Sequence, residues 1–110
     1  MKKSHLIKTS YKESVIVKLL PFYVKEVAQD IENLVQSFKE GNLEGVKFGA
    51  HKIKGSSKCY GAHFIQQKAI DIEELLMGDK DNALSKAVES LRLEILEFKE
   101  VMNDGIDKLF

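Results

Sequence analysis

The sequence predicts an all-α protein, an antiparallel up-down four-helix bundle, and three observations point to this fold class. Four segments place apolar residues at alternating steps of three and four, the period of a helix with one buried face. Short polar links join these segments, so neighbouring helices run antiparallel and bury their apolar faces together. The β-branched stretch VIVKLL at residues 15–20 is a short and isolated candidate for a strand, so evidence for a sheet is thin.

The first helix is predicted to follow Pro21, because proline is favoured at the first position of a helix. It ends before the sequence EGN at residues 40–42. Its predicted core residues are Val24, Val27, Ile31, Leu34 and Phe38. Residues 15–20 could equally be a helical lead-in broken at Pro21, so residues 1–20 are an N-terminal extension whose structure the sequence does not define.

The other three helices follow from the same period. The second ends in the polar cluster before Gly61, the third ends at Gly78, and the fourth and longest begins at Asp81 or Asn82, both favoured N-cap residues. The predicted core residues of the second helix are Leu43, Val46, Ala50 and Ile53. Those of the third are Ala62, Ile65, Ala69, Ile72 and Leu76. Those of the fourth are Leu84, Val88, Leu91, Ile95, Phe98, Met102 and Ile106.

Size, charge and cysteine content limit the class of protein. A chain of 110 residues with 44% hydrophobic residues has the size of one domain with a modest core. Its 17 basic and 17 acidic side chains balance, so no overall field attracts nucleic acid or an anionic membrane. The single cysteine excludes an internal disulfide, and no apolar run reaches the roughly 18 residues of a membrane span. We expect a soluble cytoplasmic monomer.

The second helix carries a candidate functional histidine. At about 100° per residue, His51 lies about 120° from the centre of the predicted core face, on the flank or exposed side of its helix. A neutral imidazole can act as a nucleophile, and nearby lysines would stabilise a dianionic group carried on the ring. The residues that share its side of the helix are Lys47, Phe48, Lys54, Gly55 and, two turns on, Lys58.

Two of these neighbours each have more than one interpretation. A glycine inside a helix costs roughly 1 kcal/mol relative to alanine. Gly55, with Ser56 and Ser57, either lets helices pack closely, or marks an early end of the helix, or lets a partner come within bonding distance of the histidine. Phe48 falls nearly opposite the core face and would anchor a partner, unless residues 1–20 fold back over it and make it part of the core.

Spacing argues against other chemistries. His51 and His63 lack the i, i+4 spacing of two zinc ligands on one helical face, so no metal site is expected. The sequence GSSKCYG at residues 55–61 lacks the spacing of a phosphate-binding P-loop. Four helices in 110 residues leave no room for the nucleotide-binding domain of a kinase.

The sequence AHKIKGSSKCYGA at residues 50–62, followed by IDIEEL at residues 70–75, resembles the signature of histidine-containing phosphotransfer (HPt) domains. In that signature A-H-x-L-K-G leads through small residues to G-A, and L-E follows one helix later. Ile53 replaces the usual leucine. The resemblance implies one HPt-like domain over residues 1–110.

The family implies a phosphocarrier without kinase activity of its own. By resemblance, His51 accepts a phosphoryl group through Nε2 from an aspartate of one receiver domain and passes it to another in a multistep two-component phosphorelay. Lys54 would stabilise the phosphoryl charge. Glu73 occupies a position that often orients the imidazole, although it could equally pair with a lysine of the second helix. The receiver supplies Mg²⁺, so the chain needs no cofactor or metal. Partner contacts are expected at Lys47, Phe48, Gly55 and Lys58.

A second function, from the class of interaction proteins, stays open: a four-helix adaptor that docks receiver domains or other signalling proteins without being phosphorylated. The intact His51, Lys54 and Gly55 favour the phosphocarrier, since a degenerate domain would be expected to lose its nucleophile. The expected partners are receiver domains of response regulators or of hybrid histidine kinases, with neither nucleic acid nor membrane.

Overall fold

Four helices form the protein in a computed structural model that describes residues 6–7, 15–78, 81–105 and 109. They are α1 (Val15–Lys39), α2 (Leu43–Tyr60), α3 (His63–Leu76) and α4 (Asp81–Asp104). Each helix packs against the next, and α4 also contacts α1. The described residues contain no strand. The predicted all-α four-helix bundle is confirmed.

The apolar period predicted most of the core correctly. The predicted core residues that are buried are Val27, Ile31, Leu34, Val46, Ala50, Ile53, Ala62, Ile65, Ala69, Ile72, Leu84, Val88, Leu91, Ile95 and Phe98. Val24, Phe38, Leu76 and Met102 are partly buried against this core. Leu43 was predicted to be buried, but it is 52% exposed, because it is the first residue of α2 and lies at the end of the bundle. The prediction for Ile106 lies outside the described residues.

The first helix begins earlier than the sequence predicts. Residues 15–20 are helical and continuous with the rest of α1, so the predicted start after Pro21 is wrong. A proline inside a helix costs about 3 kcal/mol, because it lacks the N–H that would bond the carbonyl one turn before. Extending the helix buries Leu20 completely, which contributes about 1.5 to 3 kcal/mol and offsets much of that cost. Pro21 itself lies on the exposed side of α1.

Part of the predicted N-terminal extension belongs to the core. Leu6 and Ile7 are buried, and the N–H of Ile7 donates to the carbonyl of Leu109 at 2.8 Å. This contact joins the two ends of the chain. The remainder of residues 1–14 lies outside the described residues.

The second helix continues through its serine pair and ends at a glycine. Gly61 adopts a left-handed φ of 71°, its N–H donates to the carbonyl of Lys58, and the N–H of Ala62 donates to that of Ser57. These two bonds form a Schellman motif, which ends α2 and turns the chain into α3. The interpretation that the helix ends early is therefore wrong.

Two small residues let α2 lie close to α1. A Cβ added to Gly49 would come within 3.1 Å of the Leu34 side chain. Ser57 is fully buried, and its hydroxyl shares a hydrogen bond of 2.7 Å with the hydroxyl of Tyr23. Close packing on this side of α2 turns its opposite side towards solvent. No helix in the described ranges is long and apolar enough to cross a membrane.

Candidate functional site

His51 lies on the exposed ridge of α2, the row of solvent-facing residues formed by Glu44, Lys47, Phe48, His51, Lys52, Gly55, Lys58 and Cys59. Its side chain is 73% exposed. The backbone beneath it is held by Ala50 and Ile53, which are both fully buried. The histidine is therefore an exposed group on a rigid element of the fold.

Glu73 of α3 contacts both the histidine and a lysine of α2. Its Oε2 lies 3.3 Å from Nδ1 of His51, and its Oε1 accepts a hydrogen bond from Nζ of Lys54 at 2.8 Å. The tight link between α2 and α3 brings the two helices side by side and makes this contact possible. The two alternatives for Glu73, the imidazole contact and the lysine pair, thus occur together.

The charge of Glu73 determines which ring nitrogen of His51 is free. The hydrogen bond from Lys54 holds the pKa of the Glu73 carboxyl below its usual range, partial burial opposes this shift, and the bond from His51 adds to it. An ionised carboxylate only accepts hydrogen bonds, so Nδ1 of the neutral ring is the nitrogen that carries the proton. Nε2 is left with a lone pair.

The tautomer of His51 provides a test of this contact. In Glu73→Ala we expect the fraction of neutral His51 that carries its proton on Nδ1 to fall, because the carboxylate that accepts from it is gone. The ¹⁵N chemical shifts of the two ring nitrogens measure this fraction. Glu74→Ala removes an exposed carboxylate from the same helix and should leave both shifts unchanged. Shifts that stay the same in Glu73→Ala would show that Glu73 does not orient the ring.

Gly55 leaves open space one turn beyond the histidine. A Cβ added at this position would have no heavy atom within 4 Å. The interpretation that small residues let helices pack closely is therefore correct for Ser57 but wrong for Gly55. The glycine therefore brings no gain in packing at this position, and its role in giving a partner access to His51 stays a prediction.

Phe48 lies one turn before the histidine and is not part of the core. Its side chain is 72% exposed, and residues 15–20, which would have to cover it, belong to α1 instead. The alternative in which the earlier residues fold over it lies outside the described residues, apart from Leu6 and Ile7. A shallow hollow of about 260 Å³ lies between this ring and α3 and is lined by Glu44, Lys47, Phe48, His51 and Glu73. An exposed aromatic ring beside such a hollow can act as an interface anchor.

The lysines of α2 differ in what holds them. Lys47 and Lys58 are exposed and form no ion pair within the described part of the chain. Lys52, for which the sequence predicts no role, donates from Nζ to Oδ1 of Asp30 in α1 at 2.9 Å. This hydrogen bond raises the pKa of Lys52.

Sequence reasoning missed Asp30, although a signal was present. Asp30 is 5% exposed and falls between Val27 and Leu34 at the spacing of the core face of α1. A carboxylate at a position with the core period needs a partner, and this pattern predicts a cation on a neighbouring helix.

The described residues contain no cluster of three or more side chains able to hold a metal ion. The expectation that the chain needs no metal or cofactor of its own stays a prediction.

Comparison with known proteins adds evidence independent of this geometry. A family model described as the Hpt domain matches residues 18–109. The chain is similar to "Phosphorelay intermediate protein rdeA" of Dictyostelium discoideum, with 26% identity over 87 residues. The match covers 79% of this chain and 34% of that protein, so the chain spans about a third of the length of this curated relative. No solved structure gives a significant match.

Proposed function

Because the chain belongs to the Hpt domain family, we propose that it carries a phosphoryl group on Nε2 of His51 between the aspartates of receiver domains in a multistep two-component phosphorelay. The family predicted from the motif at residues 50–62 is confirmed. Together with the similarity to a phosphorelay intermediate, it supports a phosphotransfer role. The observation that carries the finer proposal is the contact of Nδ1 with Glu73, which leaves Nε2 exposed with a lone pair.

The chemistry follows from this arrangement. Nε2 of His51 attacks the phosphorus of the receiver's aspartyl phosphate, the N–P bond forms, and the P–O bond to the aspartate breaks as the carboxylate leaves. The ring keeps its proton on Nδ1 and so acquires a positive charge. The carboxylate of Glu73 stabilises this charge through the bond it already accepts. A ring that stays protonated is also a good leaving group when the phosphoryl group moves to the next aspartate.

We expect Lys54 to stabilise the phosphoryl oxygens. It lies about one turn along α2 from His51 and donates to Glu73 at 2.8 Å. An ammonium group has three N–H donors, so Lys54 can keep its bond to Glu73 and still donate to a phosphoryl oxygen. Mg²⁺ and most of the catalytic groups are supplied by the receiver, so the chain is a carrier and not a kinase.

The experiment that tests this function follows phosphate onto the chain. Receiver domains phosphorylated with acetyl phosphate and Mg²⁺ are mixed with the protein, and ³¹P spectra and mass are recorded. We expect a phosphoryl group on His51 that is stable to base, labile to acid and removed by a second receiver. If receivers bind the chain but never transfer phosphate to it, the protein is the non-phosphorylated adaptor instead.

A carrier that exchanges partners has to move between them. We therefore propose that the protein acts as a cytoplasmic monomer that meets receiver domains of response regulators or of hybrid histidine kinases, and that it binds neither nucleic acid nor membrane. Receivers would contact the exposed ridge of α2 at Lys47, Phe48, Gly55 and Lys58, around the histidine.

Phe48 should contribute to this docking and not to folding. We expect Phe48→Ala to weaken receiver binding by about 1 to 3 kcal/mol, because an exposed aromatic ring is lost from the interface. The melting temperature should change little. Titration calorimetry and thermal unfolding measure the two quantities. Leu93→Ala, which removes an exposed apolar side chain from α4, should leave binding unchanged. A lower melting temperature with unaltered affinity in Phe48→Ala would place the docking face elsewhere.

A further inference from the structure

We propose that Lys52 is a receiver-binding residue on the α1 side of His51, where it binds an acidic group of the receiver domain, and that the buried carboxylate of Asp30 positions it. This inference rests on the proposed function, because the partner is a receiver domain. It assigns roles to two residues that lie outside the motif.

The pair has a buried end and an exposed end. Asp30 is 5% exposed, whereas the side chain of Lys52 is 46% exposed, and their contact of 2.9 Å crosses from α1 to α2. Lys52 follows His51 directly on the exposed ridge of α2. The fixed, water-excluded carboxylate therefore holds an ammonium group at the surface beside the phosphorylation site.

Asp30 depends on this lysine. Its Oδ2 is buried and has no hydrogen-bond partner in the described part of the chain, so the bond from Lys52 to Oδ1 is the contact that compensates its charge. A buried carboxylate left without that partner is strongly disfavoured. The ammonium of Lys52 is thus ordered before a partner arrives, and binding loses less side-chain entropy there than at Lys47 or Lys58.

Lys52 can hold Asp30 and bind a partner at once. An ammonium group has three N–H donors, and one of them is used by Oδ1 of Asp30. His51 is consequently flanked by two lysines that are each held by a carboxylate of a neighbouring helix, Lys54 by Glu73 and Lys52 by Asp30. The first pair lies on the α3 side and the second on the α1 side.

The surroundings of Lys52 leave room for a partner side chain. A hollow of about 450 Å³ between α1 and α2 is bordered by Lys52 and by the exposed ring of Phe22. Lys25, Glu26 and Asp30 also face it, so the two lysines and two carboxylates of its lining balance in charge. The group that meets an approaching receiver is the exposed ammonium of Lys52, whose remaining N–H donors suit a carboxylate. A receiver builds its Mg²⁺ site from carboxylates, and transfer to His51 brings that site to the ridge beside Lys52, so a receiver carboxylate is the occupant proposed here.

The test separates docking from the reactivity of the histidine. Lys52→Gln should slow phosphotransfer from a receiver about tenfold at low salt, the loss expected for one charge-assisted hydrogen bond, and by less at high salt. Phosphorylation of His51 by phosphoramidate, a small donor that needs no docking, should not change.

Asp30→Asn should slow transfer from a receiver about 2- to 10-fold, because the Lys52 side chain is then no longer held in one position. The double variant should be no slower than Lys52→Gln, because Asp30 acts through Lys52.

Two controls separate the proposed contact from a general effect of charge and from a loss of folded protein. Lys86→Gln makes the same change of charge on α4 and should transfer at the rate of the unaltered protein. Lys52→Gln leaves Asp30 buried without its cation and should lower the melting temperature, whereas the double variant removes both charges and should recover most of it. Rates are therefore compared at a temperature where every variant is folded.

Four results would overturn the inference. Lys52→Gln that transfers at an unaltered rate would make the pair purely structural, and losses that add in the double variant would show that Asp30 does not act through Lys52. A loss of reactivity towards phosphoramidate would place Lys52 at the phosphoryl group and not at the receiver. If the unaltered protein takes no phosphate from any receiver, the proposed function fails and this inference with it. If the unaltered protein takes phosphate from a receiver and Lys52→Gln takes it at the same rate, only this inference fails.

Discussion

His51→Gln should abolish labelling of the chain by phosphorylated receiver domains and leave the bundle folded. The substitution removes the one nitrogen nucleophile on the exposed ridge of α2 that has a lone pair and a carboxylate behind it. The side chain is 73% exposed and contributes nothing to the core, so the melting temperature should change little. Mass spectrometry after incubation with a phosphorylated receiver, together with thermal unfolding, measures both effects.

His63 provides the matched control for this loss. It lies at the start of α3, partly buried with its ring against Phe64, so His63→Gln should keep full labelling. The chemistry of the bond is a second check, because a phosphoryl group on nitrogen is lost in acid, whereas a serine or threonine ester survives. Label retained in His51→Gln, or label that resists acid, would refute the assignment of the acceptor.

Gly55→Gln should produce opposite effects on stability and on phosphotransfer. Glycine in the interior of a helix costs about 0.8 to 1.0 kcal/mol, and an added Cβ meets no heavy atom within 4 Å, so the variant should melt a few degrees higher. The longer side chain should nevertheless fill the approach to His51. Displacing the reacting groups by about 1 Å can cost 100-fold in rate, and we expect a loss of that order in transfer from a receiver.

Comparing Gly55→Ala with Gly55→Gln shows whether the loss of transfer comes from the length of the added side chain. Gly55→Ala adds only a Cβ, so it should raise the melting temperature at least as much as Gly55→Gln and slow transfer far less. Stopped-flow transfer assays and thermal unfolding would be carried out on the same preparations. Transfer by Gly55→Gln at the rate of the unaltered protein would show that a receiver does not approach over this glycine.

The sequence by itself determined the helices, most of the core and the motif of the Hpt family. A helical period is a local property of the backbone, so steps of three and four identified the buried faces of all four helices before any contact between them was known. The same local geometry placed His51 on the flank or exposed side of α2, beside Phe48 and Gly55. The exposure of all three agrees with that placement.

The tertiary structure alone decided which side chains meet across helices. The sequence left Glu73 with two possible partners, and the packing of α3 on α2 gives it both. The period of α1 marks Asp30 as a carboxylate that needs a partner, but it does not identify Lys52, because their contact depends on how far α1 is rotated and shifted along α2.

The start of α1 was decided in the same way. The rule that proline breaks a helix considers only the local backbone. Here the free energy gained by burying Leu20 against the other helices offsets much of the cost of Pro21 inside α1. Periodicity fixes the direction of a side chain around its own axis. The rotation and offset between two axes are set by the packing of the whole core, and a contact such as that of Asp30 with Lys52 exists only when both are known.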